Sequence, residues 1–408
     1  AAWCLAAEGN WVGATAAATD SYDFSIGTSF AAPMVAGGMA ILGEAFPDLS
    51  PHDLRIRLLA SADNSFTGFN ATGEVELVNG FTHEISDEWG HGFLDVKAAL
   101  LPIGLTTATM ADGSTYNVED PLIVEGGATG DAVARALSGV SLAAEDALKA
   151  QFSLPAETLV ARRKKTSLST ELERNWLSGD DRACCGLEDY YRTTRVLTAG
   201  SEGLTLNLML PAGRTDDDSY GIMIGRAFES GIADLSINLS LGRDSGELLP
   251  TWYTGGGSTI MAGEVSLATP ITSGTQLELA AGFGGSLNSG SRNPTGSAAF
   301  NSASAALVTR NVFETGDNLS FTLGLPVAVT RGLASVTLPV ATRSGAKEYR
   351  SIGVDLAPED REVRLGVEYE YPLGKKADVV LSAAYAENFG NISGNRNTGM
   401  FLGFRSMF

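Results

Sequence analysis

The chain has 408 residues, a formal net charge of −20 and a hydrophobic fraction of 44%. That apolar fraction excludes a disordered chain, the length allows two or three domains, and the acidic balance argues against a nucleic-acid binder, which needs a basic face. Glycine fills 48 positions and charged residues make up only 19%, which favours turns and strands over long surface helices.

The N-terminal end shows no targeting segment. The chain starts with Ala1, and residues 1–9 contain neither a basic region nor a sustained apolar run, so we expect that the chain lacks its own N-terminus. The most apolar stretch, residues 30–42, is too short for a spanning helix, which needs about 20 apolar residues. The three cysteines (Cys4, Cys184 and Cys185) form neither a disulfide framework nor a zinc-binding spacing.

The sharpest motif of the first zone, which runs to about residue 103, is the string GTSFAAPMVAGG at residues 27–38. A serine after a glycine turn, at the start of a small-residue helix, has its hydroxyl exposed. The helix N-terminus supplies N–H groups and a positive dipole where an oxyanion would form. The alternative interpretation is that Thr28 or Ser29 only caps a buried helix.

The whole string closely resembles the nucleophile motif of subtilisin-like serine proteases (subtilases), GTS-x-A-x-P-x-V-A-G. Residues 49–54 (LSPHDL) resemble the next helix of that fold, with Ser50 as N-cap and Pro51 as first helical residue. Residues 89–99 (WGHGFLDVKAA) resemble the closing signature, and residues 4–9 (CLAAEG) resemble the AAPG loop, with Glu8 at the usual proline. The resemblance covers about 103 residues and implies the C-terminal part of an α/β subtilisin-like fold, with Ser29 as catalytic nucleophile.

The rest of the catalytic triad has no counterpart in the sequence. Subtilisin places Asp, His and Ser in that order, with about 150 residues between His and Ser. Only 28 residues precede Ser29 and none of them is His. We therefore assign no triad Asp or His and no side-chain oxyanion donor. The backbone N–H of Ser29 is the one part of the oxyanion hole that can be named.

The three histidines are not expected to replace the triad base. His52 is predicted to lie on a helix surface, and His91, between two glycines, is predicted to be structural. For His83 the alternatives are a metal ligand and a solvated loop, and the lack of a second histidine nearby favours the loop. No metal and no cofactor is predicted.

Residues 104–196 are polar and charged and are predicted to form a mixed linker. The spacing of apolar residues in 129–151 predicts a helix from Asp131 onwards. The basic run at residues 162–165 is predicted to be solvated, with contact to anionic lipid or to an acidic lumen as the alternative. The Cys184–Cys185 pair can close only a trivial loop, and a redox or metal role is the less favoured alternative for it. Residues 216–218, three aspartates, are predicted to be a solvated turn rather than a calcium site.

The last zone alternates apolar and polar residues with a period of two, which predicts strands with one apolar and one polar face. The predicted strands are 203–210, 219–227, 232–242, 257–269, 274–284, 303–313, 318–329, 332–342, 348–357, 361–371, 377–387 and 398–408.

Two architectures fit this alternation, a soluble β-sandwich and a membrane barrel. The last strand, with its apolar side chains on one face, resembles the C-terminal strand of Gram-negative outer-membrane barrels. Long and short connections alternate, apart from short ones at residues 330–331 and 358–360, as barrels require. We therefore expect a 12-stranded antiparallel outer-membrane β-barrel. The residues of that last apolar face are Met400, Leu402, Phe404 and Phe408.

In such a barrel alternate side chains face lipid and the lumen. The residues predicted to face lipid are Leu235, Leu239, Leu365 and Val367, and those predicted to face the lumen are Asp234, Asn238, Arg364 and Glu368.

A subtilase part, a linker and a C-terminal barrel together resemble the autotransporter serine proteases. The resemblance implies a multidomain chain with a subtilase part (1–103), a linker (104–196) and an autotransporter barrel (197–408). It implies a surface-exposed or secreted endopeptidase that acts on proteins or peptides, with outer-membrane lipid and the barrel-assembly machinery as partners. The alternatives are a non-catalytic surface or translocator protein and a soluble subtilase with a β-rich binding appendage. Without the triad Asp and His, residues 1–408 alone are expected to be inactive.

Overall fold

The fold is described from a computed structural model. The residues that it describes are 2–15, 17–78, 80–125, 127–162, 167–178, 184–187, 190–199, 203–211, 219–252, 257–288, 295–341, 347–374 and 377–406. The predictions for residues 163–165, for the aspartates at 216–218 and for Phe408 lie outside the described residues.

The chain divides into two compact units, each assembled from separate stretches of sequence. The first unit comprises residues 1–120, 139–156 and 337–350, and the second comprises residues 121–138, 157–336 and 351–408. The predicted domain boundaries near residues 103 and 196 stay predictions.

Helices and strands are numbered along the chain. The helices are α1 (Thr28–Ala45), α2 (Pro51–Ala60), α3 (Val96–Ala99), α4 (Ala132–Leu137) and α5 (Leu168–Ser178). The strands are β1 (Asn10–Ala14), β2 (Tyr22–Ile26), β3 (Gly73–Val78), β4 (Phe81–Ile85), β5 (Thr107–Thr109), β6 (Thr115–Asn117), β7 (Ile123–Glu125), β8 (Ser141–Glu145), β9 (Gln151–Pro155), β10 (Val160–Arg162), β11 (Tyr191–Ala199), β12 (Leu204–Pro211), β13 (Tyr220–Glu229), β14 (Asp234–Asp244), β15 (Thr251–Trp252), β16 (Ser258–Pro270), β17 (Thr275–Asn288), β18 (Thr295–Arg310), β19 (Asn318–Ala341), β20 (Lys347–Asp355), β21 (Val363–Pro372), β22 (Ala377–Glu387) and β23 (Arg396–Ser406).

Helices α1 and α2 form the core of the first unit. As predicted, Ser50 caps α2: its hydroxyl accepts a hydrogen bond from the N–H of Asp53, and Pro51 is the first helical residue. A Cβ added to Gly38 of α1 would lie 3.2 Å from a methyl of Val96, so a small residue at this position lets α1 approach the closing segment. The apolar side chains that meet in this core are Leu42, Phe46, Leu54, Leu58 and Ala99.

The hairpin β8–β9 adds to the same core from a distant part of the sequence. Its strands pair from Ser141 with Pro155 to Glu145 with Gln151, and Phe152 packs against the α1–α2 cluster. In the turn, a carboxylate oxygen of Asp146 lies 2.7 Å from a guanidinium nitrogen of Arg57, and both side chains are fully buried. Such a pair is held by several partners at once: Arg57 also donates to backbone carbonyls, and Asp146 also accepts backbone N–H groups.

The predicted helix from Asp131 onwards is wrong beyond its first turns. Helix α4 ends at Leu137, and Gly139 has a φ of +74°, a conformation that ends a helix. Residues 141–155 form the hairpin instead, because Asp146 accepts hydrogen bonds from the N–H groups of Leu148 and Ala150 and so stabilises a turn. The buried apolar residues of β8 do not alternate with polar ones, so the sequence pattern of this strand also fits one face of a helix.

The second unit is built on a large antiparallel sheet. Its strands follow the order β11-β12-β13-β14-β16-β17-β18-β19-β21-β22-β23, and β20 pairs with β19. Most of the predicted strands are found within a few residues of their expected bounds, although β18 starts earlier, at Thr295, and β11, which was not predicted, begins in the predicted linker and ends at Ala199. Among the described residues no pairing joins β11 to β23. Closure into a 12-stranded outer-membrane barrel therefore stays a prediction.

The two predicted strands 318–329 and 332–342 are a single strand, β19, of 24 residues. In the pairing with β18, Val329 lies opposite Phe300 and Arg331 opposite Ala299, so Thr330 is the extra residue of a β-bulge. The register also shifts between Asn301 and Ala303 and between Thr295 and Ala298. A strand with such irregularities does not keep one alternation along its length, so the predicted turn at residues 330–331 is a bulge within a continuous strand.

The sheet of the second unit exposes apolar side chains and buries polar ones. Leu239 and Leu365 are 63% and 53% exposed, whereas Asn238 and Arg364 are 7% and 6% exposed. Of the other residues with predicted orientations, Val367, Asp234 and Glu368 are exposed and Leu235 is half-buried. Further large apolar side chains on the exposed side of these strands are Met261, Phe283, Phe321, Leu323, Leu381, Met400, Leu402 and Phe404.

Helix α5, which is not predicted from the sequence, packs on β22 and β23 within the second unit. Leu168 lies in a cluster with Ala384 and Phe389, and a Cβ added to Gly399 would lie 2.5 Å from the backbone nitrogen of Ser169. The close approach of this helix to the sheet therefore depends on a glycine. No helix in the described part of the chain is both long and apolar enough to cross a membrane.

Candidate active site

Ser29 is the second residue of α1 and its side chain is exposed. The first N–H groups of a helix have no intrahelical partner, and they carry the positive end of the helix dipole. The N–H of Phe30 donates to the carbonyl oxygen of Gly27 (3.0 Å) and closes the turn before the helix. Both the hydroxyl and the backbone N–H of Ser29 therefore belong to the positive end of α1.

The segment at residues 4–9, predicted to resemble the AAPG loop, contacts the turn before Ser29. The N–H of Gly27 donates to the carbonyl oxygen of Gly9 at 2.8 Å, and the hairpin β1–β2 brings these positions together by pairing Asn10 with Ile26. A Cβ added to Gly9 would lie 2.9 Å from the carbonyl oxygen of Gly27, so the contact requires glycine.

The closing signature at residues 89–99 contacts the same segment. Gly90 and Gly92 have φ values of +62° and +116°, and Cβ atoms there would lie 2.2 Å from the carbonyl oxygens of Cys4 and Asp63. The N–H of His91 donates to the carbonyl oxygen of Cys4 at 2.9 Å. Three of the motifs that carry the resemblance, at residues 4–9, 27–38 and 89–99, are thus joined by backbone hydrogen bonds, and the two glycines of the closing signature are needed sterically.

The histidines lie where the sequence predicts, with one exception. His52 is 64% exposed on α2, and His91 is fully buried between its glycines. His83 is not in a solvated loop: it lies on β4, and its Nδ1 is 3.1 Å from Nδ1 of His91. The assumption that no second histidine lies nearby is therefore wrong. The sequence gives no signal of this contact, which forms between a strand and the following loop.

The buried histidine is held in its neutral form. Nε2 of His91 lies 3.0 Å from the carbonyl oxygen of Ala2, and burial lowers the pKa of His91. In the described residues no partner of any histidine is Ser29, and no group of three or more His, Cys, Asp or Glu side chains is arranged to hold a metal ion. The described residues thus supply an exposed serine hydroxyl and a backbone N–H group but no base in contact with Ser29.

An exposed serine at the positive end of a helix has backbone N–H groups beside it, and such groups stabilise the negative charge that develops when a serine oxygen attacks a carbonyl carbon. Residues 1–92 match the model of the Subtilase family. This match supports a subtilase segment in that part of the chain and the serine peptidase class. Comparisons with curated proteins and with solved structures found no match.

Proposed function

We propose that the chain carries the nucleophile-bearing part of a subtilisin-like serine endopeptidase and that Ser29 is its nucleophile. The observation that carries the proposal is the exposed hydroxyl of Ser29 at the start of α1, beside a turn that is tied to residues 4–9 by the bond between Gly27 and Gly9. The match of residues 1–92 to the Subtilase family supports the same reaction class.

In the proposed reaction the Ser29 oxygen attacks the carbonyl carbon of a peptide bond. A histidine takes the hydroxyl proton and returns it to the leaving amine, and an aspartate orients that histidine. The backbone N–H of Ser29 donates to the developing oxyanion. Water then hydrolyses the acyl-enzyme. The histidine, the aspartate and a second oxyanion donor are contributed from outside residues 1–408, because no described histidine contacts Ser29.

A fluorophosphonate probe, which labels activated serines, tests this proposal. The purified 408-residue chain should remain unlabelled, and a longer product of the same reading frame that includes the base should be labelled at Ser29. Its Ser29→Ala variant is the control and should not be labelled. A reading frame in which the Asp or His motif is substituted would instead indicate a non-catalytic surface protein.

We further propose that residues 197–408 form an outer-membrane autotransporter barrel that carries the subtilase part to the cell surface. In this proposal the barrel contacts outer-membrane lipid and is inserted by the barrel-assembly machinery. The support is the inverted distribution of side chains, with Leu239 and Leu365 exposed and Asn238 and Arg364 buried. A strand in lipid must pair all its backbone groups, and a polar interior then accommodates the other face.

The alternative is a soluble β-rich appendage. The size of the exposed apolar face argues against it, since soluble monomers rarely leave such patches uncovered. Expressed alone, residues 197–408 should require detergent and should migrate differently on a gel before and after heating. A soluble monomer in buffer without detergent would contradict the barrel and the autotransporter function together, and would leave the subtilase proposal standing.

A further inference from the structure

The adjacent cysteines of the second unit form a disulfide, Cys184–Cys185. A disulfide stabilises a fold mainly by restricting the unfolded chain, and the restriction grows with the length of the loop that it closes. Two neighbouring residues close the shortest loop possible. Stabilisation by loop closure therefore gives little physical reason for this bond.

The disulfide lies against the backbone of one glycine in the sheet. A Cβ added to Gly324 of β19 would lie 2.1 Å from Sγ of Cys184 and 2.3 Å from Sγ of Cys185. Any side chain at position 324 would overlap both sulfurs, so the bonded pair fits there only because residue 324 is glycine. On the paired strand, the neighbouring Gly366 has ordinary room: a Cβ there would lie 3.7 Å from Thr322.

The two cysteines differ in how accessible they are to solvent. Cys185 is buried and has a φ of +92°, a conformation that residues other than glycine rarely adopt. Cys184 is half-buried and lines a cavity of about 120 Å³. The acidic residues that line the same cavity are Asp234, Glu264 and Glu278.

We propose that Cys184–Cys185 is a thiol-exchange site at which a neutral or cationic small dithiol reduces the protein. A thiolate of the dithiol enters the cavity and attacks Sγ of Cys184, the bond between the cysteines breaks, and Cys185 leaves as a thiolate and takes a proton. The second thiol of the reductant then attacks the reductant's other sulfur, the one bonded to Cys184 in the mixed disulfide. Cys184 is released as a thiol, and the reductant leaves as a cyclic disulfide after supplying two electrons.

Two features of the site determine which thiols react with it and what its reduction does to the protein. The carboxylates of Asp234, Glu264 and Glu278 repel anionic thiols, so neutral reagents are favoured. After reduction the two sulfurs are no longer bonded and must lie at least a van der Waals distance apart. The space over Gly324 is too small for that separation. Residues 184–187 therefore leave β19, and the reduced pair becomes an accessible vicinal dithiol, a ligand for trivalent arsenicals.

The first test uses the purified full chain in its folded state. Dithiothreitol or glutathione is added at equal thiol concentration, the reaction is stopped with iodoacetamide, and the modified peptide is read by mass spectrometry. We expect reduction of the pair without unfolding, about tenfold faster with dithiothreitol, and a glutathione adduct on Cys184 rather than Cys185. A pair that is reduced only after unfolding, or that is isolated as free thiols without reductant, would overturn the proposal.

The second test uses two glycine variants. Gly324→Ala should displace the sulfurs and raise the rate of reduction by about tenfold or more, whereas Gly366→Ala, the matched control, should react like the unmodified chain. Phenylarsine oxide should bind once per chain after reduction, and Cys184→Ser should abolish this binding. Equal rates for the two glycine variants, or arsenical binding that survives Cys184→Ser, would contradict the assigned site.

Discussion

Apart from the buried Arg57, helix α2 of the first unit buries apolar side chains, whereas strand β21 of the second unit exposes them. In α2, Leu58 is 2% exposed while His52 faces solvent; in β21, Leu365 is 53% exposed while Arg364 is buried. Apolar surface is stable away from water, so α2 has the pattern of a helix that packs on an apolar core and faces water on its other side, and β21 has the reverse pattern. The comparison shows that alternation by itself does not reveal which face of a strand meets which surroundings.

The two units also differ in how they hold buried charge. Arg57 and Asp146 are enclosed in the first unit beside aromatic rings, including that of Phe46. Arg364 in the second unit lies between two carboxylates, 3.0 Å from Glu171 and 2.9 Å from Glu362. The first arrangement is an isolated pair in an apolar core, and the second belongs to a polar face.

The largest expected effect is loss of the isolated pair in the first unit. Asp146→Ala leaves the Arg57 charge buried without a counter-ion and should lower the free energy of unfolding by about 3–5 kcal/mol. Hydrogen exchange of α2, measured by mass spectrometry, reports this loss. The exposed Asp48→Ala is the control and should change stability by less than about 0.5 kcal/mol. If both variants exchange alike, the pair does not stabilise the unit.

The next effect distinguishes the surroundings of the apolar face. Leu365→Arg should cost about 2–4 kcal/mol and block assembly if this face meets lipid, because an arginine in hydrocarbon is poorly solvated. Leu373→Arg, just past the end of β21, should cost about 0–1 kcal/mol. Heat-dependent gel migration of the two variants measures assembly. Since Leu365 is already exposed, equal tolerance of both arginines would indicate that the face meets water.

A smaller effect concerns pH. Glu125 is buried in β7 and accepts hydrogen bonds from the N–H groups of Val133 and Ala134, and burial nevertheless raises its pKa from 4.5 to about 7. An acid whose folded-state pKa is raised stabilises the protein at low pH, and this contribution is lost as the pH rises through 7. Unfolding of the second unit should become about 2 kcal/mol easier between pH 5.5 and 8.

The variant Glu125→Gln should remove that dependence, as measured by thermal unfolding at several pH values. The first unit should respond with the opposite sign, since burial lowers the pKa of His91 and its contribution is lost as the pH falls below about 6.5. A common pH trend in the two units, followed by hydrogen exchange, would argue against this contrast.

The smallest effect is at a helix end of the first unit. Ser50→Ala removes the hydroxyl that accepts from the N–H of Asp53 and should cost about 1 kcal/mol. Denaturant unfolding measures the loss, and Ser50→Asp, which keeps an acceptor, should restore most of it. A full loss in the aspartate variant would show that the cap does not act through this bond.

Local features of the sequence predicted local structure well. The cap at Ser50, the exposure of Ser29 and the alternation of the strands all depend on neighbouring residues. The errors arose where distant residues decide: the bulge at Thr330 depends on the partner strand, and the hairpin of residues 141–155 depends on a core formed with α1 and α2. The contact between His83 and His91 likewise joins two segments whose approach no motif encodes.

The pair of Arg57 and Asp146 has a practical consequence for truncated forms of the protein. A chain cut after residue 103 would retain every motif of the subtilase segment, yet it would lose Asp146, Ala150 and Phe152, which complete the α1–α2 core. Its Arg57 guanidinium would have no counter-ion, and a proteolytic or engineered product of that length should be degraded or precipitate. A soluble subtilase segment should therefore be expressed with residues 139–156 attached, in line or by circular permutation.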